Sequence, residues 1–149
     1  MLWLRVFVLM LVLGGVLALG DTASTATPQV VTISVTTVVS DPSVPFASTG
    51  GVVCANGTVS TPFVRFDGAQ SGRQEQIHVG KHFVCPDGTF DLLLRVTLDF
   101  STANDSGTWS VVSGMGAYAL LHGEGTIIGT AIAPFSVIQD EYRGSMHID

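Results

Sequence analysis

An all-β fold, closed into an antiparallel barrel, is the reading that three features of this sequence impose. Apolar and polar residues alternate with a period of two over most of the chain. Glycine and β-branched residues are plentiful, and runs of Ala, Leu, Glu and Lys are absent. Turn signals recur at short intervals and leave no room for the dozen or so residues that each parallel connection needs. About eight strands follow, in a closed barrel or a two-sheet sandwich. The barrel is preferred because a closed sheet has no edge to protect, and the chain's single lysine, Lys81, supplies little edge blocking.

The strands are read in order. Residues 30–39 (VVTISVTTVV) place Val31, Ile33, Val35 and Val39 on one face and Thr32, Ser34 and Thr36 on the other. The stretch 41–51, with its prolines and glycines, reads as a connection. Residues 52–54 and 59–66 read as short strands around an Asn56-Gly57 hairpin turn. Residues 74–84 form the next strand, and Asp87-Gly88 the next tight turn. The cleanest alternation follows, with Phe90, Leu92, Leu94, Val96, Leu98 and Phe100 on one face and Asp91, Arg95, Thr97 and Asp99 opposite. Asn104 to Gly107 reads as a turn, and residues 109–113, 118–128 and 137–148 complete the set.

The most apolar run, Val6 to Leu19, lies at the N-terminus behind Arg5 and ahead of the small residues Ala18 and Gly20. It reads as a secretory signal peptide over residues 1–20, with a retained membrane anchor as the alternative. A small, polar leader follows at 21–29, and a single barrel domain at 30–149. The expected location is therefore extracellular, with membrane contact only through an uncleaved N-terminal segment. Removing residues 1–20 takes away one base and no acid, which moves the net charge from −6 to −7. Such a surface repels phosphate backbones, so nucleic acid is not an expected partner. Both cysteines, Cys54 and Cys85, lie in the mature part. In an exported chain an even cysteine count reads as a disulfide, here closing a loop of about 30 residues and contributing roughly 3–4 kcal/mol.

Residues 107–129 (GTWSVVSGMGAYALLHGEGTIIG) carry paired glycines, Gly114/Gly116 and Gly123/Gly125. A dinucleotide fingerprint needs a third glycine opening a helix, and Ala119 stands there instead. The first pair reads as a hairpin around Met115 and the second as a bulge or bend. The pattern of Gly107, Trp109, Val111, Gly114, Gly116, Tyr118, Leu121, Gly123 and Gly125 resembles that of small secreted bacterial proteins of the allene oxide cyclase/dirigent-like barrel group. The segments 54–58 (CANGT), 83–90 (FVCPDGTF) and 140–144 (DEYRG) agree with it. The resemblance covers most of residues 50–145. It implies an eight-stranded antiparallel barrel with a disulfide between the two cysteine segments, and it assigns no catalytic residue.

Among chemistry-bearing residues, His78 and His82 share a strand face but stand about 13 Å apart, too far for one metal ion. His122 and His147 are isolated in sequence. Ser113 lacks the first glycine of a nucleophile elbow. No metal, cofactor or nucleotide is expected. The distinctive polar residue is Asp140, which shares a face of the last strand with Ile138, Tyr142, Met146 and Ile148. An inward carboxylate there needs a partner, with Arg65 and Arg95 as candidates, and serves either as a ligand anchor or as a structural group. The candidate ligand-binding set is Asp140, Tyr142, Tyr118, Trp109 and Arg95. The functions these features suggest are a secreted barrel holding a small hydrophobic ligand or none, an allene-oxide-cyclase-like isomerase acting on an apolar substrate, or a surface module for protein contact. Binding is favoured over catalysis, because no nucleophile stands beside a base.

Overall fold

The computed structural model describes residues 26–149, with the backbone alone at 69–71. The signal peptide and the first part of the leader lie outside the described residues. Eight antiparallel strands close into a barrel in simple meander order. They are β1 (Gln29–Val38), β2 (Val44–Thr49), β3 (Asn56–Ser71), β4 (Gln74–Cys85), β5 (Gly88–Asp99), β6 (Asn104–Gly116), β7 (Leu121–Ala133) and β8 (Val137–Ile148). Closure comes from the β1–β8 ladder, which runs without a register shift from Gln29↔Met146 to Val38↔Val137. Cys54 and Cys85 are joined by a disulfide with Cα atoms 5.9 Å apart.

The alternation read from the sequence becomes an inside and an outside. Val31, Ile33 and Val35 are buried on β1, and Phe90, Leu92, Leu94, Val96 and Leu98 on β5. Several expectations are corrected, and turn placement explains each. The stretch 41–51 is not only a connection, because β2 lies within it; Val44 and Phe46 alternate inward on either side of Pro45. Residues 52–54 are not a strand, and Asn56-Gly57 opens β3, where Gly57 pairs with Phe46. Val39 and Phe100 fall just past the ends of β1 and β5 and are exposed. Residues 104–107 belong to β6 and are not a turn. The turn expected at Gly114–Gly116 comes later, at residues 117–120, and Gly116 enters it with φ +65°. No register shift accompanies Gly123 or Gly125.

Those two glycine positions, with Gly144, have another use. Trp109 on β6 pairs with Gly125 on β7, which pairs with Gly144 on β8. A Cβ at Gly125 or Gly144 would stand 2.7 or 2.6 Å from Trp109 Cζ2. The bare backbones therefore make the floor on which the indole lies, and its Nε1 donates to Thr126 O at 2.9 Å. Around it an aromatic cluster fills one half of the barrel. Phe83 stacks on Phe90 at 4.7 Å between centroids, with Phe46 and Tyr142 edge-on to Phe83 and Tyr118 edge-on to Phe90. The Tyr118 hydroxyl accepts from Cys54 N–H (3.1 Å) and donates to Asp87 Oδ1 (2.8 Å). One phenol thus ties the β6–β7 turn to the disulfide segment and to the β4–β5 turn.

Two stability effects are expected from this filled half. Trp109→Ala should cost about 3–5 kcal/mol in denaturant unfolding, since the glycine floor cannot collapse into the void. The Cys54→Ser/Cys85→Ser pair should cost about 2–4 kcal/mol, and equal midpoints for the parent and this double variant would contradict a stabilising bridge.

Candidate functional site

Beyond the aromatic cluster the barrel is hollow. A cavity of about 500 Å³ occupies the other half. It opens toward the end where the β1–β2, β3–β4, β5–β6 and β7–β8 connections lie. Its walls are apolar, formed by Ile77 and Val79 on β4, Leu94, Val96 and Leu98 on β5, and Ile127 on β7. Its rim is largely apolar, with Asp41 at the mouth. Val39, Val64, Phe66 and Phe135 line the opening and are exposed. Ala103 and Phe135, in the connections at this end, hold left-handed backbone conformations (φ 59° and 56°), which cost of order 1 kcal/mol each for non-glycine residues.

A polar cluster sits inside this apolar sleeve. The Lys81 ammonium donates to Thr61 Oγ1 (3.1 Å) and Thr37 Oγ1 (3.3 Å), and lies 3.8 Å from Asp140 Oδ2. Thr37 in turn donates to Asp140 Oδ2 at 2.6 Å. Lys81 and Asp140 are only 5% and 4% exposed, so the pair is a buried one. A second carboxylate stands nearby. Asp105 on β6 pairs across Gly129 on β7 with Asp140 on β8. A Cβ at Gly129 would fall 2.6 Å from Asp105 Oδ1, so this glycine makes room for the carboxylate. Among the described residues, Asp105 Oδ1 is buried with no hydrogen-bond partner, and so is the hydroxyl of the fully buried Tyr142.

Burial sets the titration of the cluster. It pushes Asp105 up to about 6, with the Asp140 charge adding to the rise and Lys81 opposing it. Asp140 is raised by burial against the pull of Lys81 and Thr37. Lys81 is lowered by burial, against both carboxylates. The Tyr142 phenol is raised well above its ordinary value by burial, and further by the two carboxylates.

Of the five ligand-binding candidates, Asp140 alone lines the cavity. Tyr142 is packed in the aromatic cluster beneath it. Trp109 and Tyr118 belong to the filled half, where one lies on the glycine floor and the other is bonded to the turns. Arg95 faces outward, in a surface groove with Thr108, Ser110 and Glu124. Neither arginine reaches Asp140; Arg65 is exposed beside Asp67, and the cation that meets Asp140 is Lys81. Sequence reasoning noted Lys81 only as the chain's single lysine, supplying little edge blocking, and read Asp105 as a turn residue. Both were visible in the period-two pattern, since Lys81 falls in phase with Val79 and Phe83, and Asp105 in phase with Gly107 and Trp109.

Outside the cavity, His78 pairs with Asp67 and His82 with Asp91, on opposite neighbouring strands. Ser113 donates to the same Asp91, giving a Ser113–Asp91–His82 row across β6, β5 and β4. The carboxylate stands between serine and imidazole, so the imidazole is not placed to take the serine proton. His122 and His147, distant in sequence, stack across β7 and β8 at 5.3 Å and flank Asp149. No protein family matches the chain, and neither a curated protein nor a solved structure does.

The cluster carries two testable stability effects. Asp105 binds its proton more tightly folded than unfolded, so its contribution to stability falls as pH rises from its unfolded value through about 6. Asp105→Asn should therefore stabilise the protein near neutral pH by about 1–2 kcal/mol, with the gain vanishing below about pH 4. Thermal melts across pH check this; a gain that persists in acid would contradict it. Lys81→Met should instead cost about 3–5 kcal/mol near neutral pH, because it strands buried carboxylates, and less in acid where they bind protons.

Proposed function

We propose that this chain is an exported barrel that holds a small hydrophobic molecule with a polar end. The observation that carries this reading is the cavity of about 500 Å³, with apolar walls and a polar cluster at one side. That volume and composition suit a small amphipathic ligand. The exposed apolar rim supports entry from the same end. The Cys54–Cys85 bridge and the N-terminal apolar run support secretion. A closed eight-stranded barrel with that bridge supports placing the chain in the allene oxide cyclase/dirigent-like group.

One observation favours a second reading, an isomerase or cyclase acting in the same space. A carboxyl pushed to about 6 near a buried phenol has the character of a general acid or base at neutral pH. Binding remains the better reading. The hydroxyls that line the cavity beside charged groups, Thr37 and Thr61, are held in contacts with Lys81 and Asp140 and leave no free nucleophile–base pair among these four residues.

The test is a thermal-shift screen of terpenoids, oxylipins and medium-chain amphiphiles on the parent protein and on Leu98→Trp, which replaces an aliphatic wall residue with a bulky ring that fills the cavity. Stabilisation of the parent by about 2–3 kcal/mol at a hundredfold excess over Kd, lost in the variant, is expected. No stabilising compound, together with a cavity that closes in a crystal structure, would reject the binding reading. Conversion of a compound during the screen would favour the isomerase reading.

A further inference from the structure

The charge balance of the cavity selects among polar ends, and this inference rests on the binding reading above. Among the described residues, the charged side chains that line the space are Asp41 at the mouth, Asp105 and Asp140 within, and Lys81 as the single cation. Lys81 is already committed, with Nζ within hydrogen-bonding distance of Thr37 and Thr61 and facing Asp140. Asp140 Oδ2 is occupied by Thr37. Of the cavity-lining groups, Asp105 keeps an acceptor, Oδ1, that is buried and has no donor among the described residues. With Asp105 and Asp140 ionised and Lys81 protonated, the inner cluster carries one excess negative charge inside an apolar sleeve.

An entering carboxylate would meet two carboxylates and an ammonium whose N–H groups are in use. An entering ammonium would meet the Asp105 carboxylate, which lines the space, and cancel the excess charge. We propose that the cavity takes amphiphiles with an amine head and discriminates against those with a carboxylate head, and that Asp105 receives the head. The chain of such a ligand would lie along Val96, Leu98 and Ile127, which line the same space. Gly129 is part of the device, since any side chain there would press on the Asp105 carboxylate.

The experiment is calorimetric titration of the purified protein near neutral pH with decylamine, decanol and decanoate, each below its micelle-forming concentration. Decylamine should bind about tenfold or more tighter than decanoate. Asp105→Asn should bring decylamine down to the level that decanol shows in the same variant, and Asp105→Glu should keep most of the amine preference. Decanoate binding as tightly as decylamine would overturn the proposal while leaving the binding reading intact, as would an amine preference that survives Asp105→Asn. The acidic surface also attracts amines, so Leu98→Trp and a second cavity-filling variant, Val96→Phe, are titrated in parallel. Amine binding undiminished in both would place it outside the cavity and overturn the proposal. Failure of all three compounds to bind would count against the binding reading itself.

Discussion

Closure of the sheet by the β1–β8 ladder is the constraint from which the rest follows. Once Val31, Ile33 and Val35 pair in register with Gly144, Tyr142 and Asp140, every second residue of every strand must face one enclosed space. An eight-stranded barrel encloses a space that side chains can only just fill. Whether it is packed or hollow then depends on where the large residues fall. It also explains why β2 can be short: it is flanked by β1 and β3 and needs to contribute only Val44 and Phe46 to the interior.

The large residues fall at one end. Phe46, Phe83, Phe90, Trp109, Tyr118 and Tyr142 crowd the half that carries the disulfide, and each lies against the Gly125–Gly144 floor, the β4–β5 turn or another of the six. The other half has only aliphatic walls, and its inward row Asp105–Gly129–Asp140 exchanges bulk for charge. A glycine between two carboxylates leaves them no intervening side chain for insulation. Burial raises Asp105 to about 6, repulsion from Asp140 adds to the rise, and Lys81 is the partial remedy. The filled half stabilises a barrel whose other half is, by its own electrostatics, unfavourable to bury.

Much of this was legible in the residues. The clean alternation from Phe90 to Leu98 specified a half-buried strand, and the phase of Ile138, Asp140 and Tyr142 specified an inward carboxylate. The turns were less legible. Asn56-Gly57 and the Gly114/Gly116 pair have the composition of tight turns, yet both lie in strands, where the missing side chains admit a neighbouring ring or backbone. Glycine answers equally to a demand for positive φ and to a demand for space, and sequence does not distinguish the two. The same ambiguity hid Asp105, which follows an asparagine and precedes Ser106-Gly107 as a turn residue would. Partnership was illegible for a different reason: which cation meets Asp140 depends on how the sheet closes, and Lys81 sits across the barrel on β4.

The central claim is that one half of the barrel is packed and the other hollow, and xenon distinguishes the two directly. Xenon enters apolar cavities and is excluded from packed interiors. In a crystal under xenon pressure, electron density is predicted among Val79, Leu94, Val96 and Ile127, with none among Phe46, Phe83 and Phe90. Absence of xenon from the first group, with those side chains drawn into mutual contact, would contradict the account.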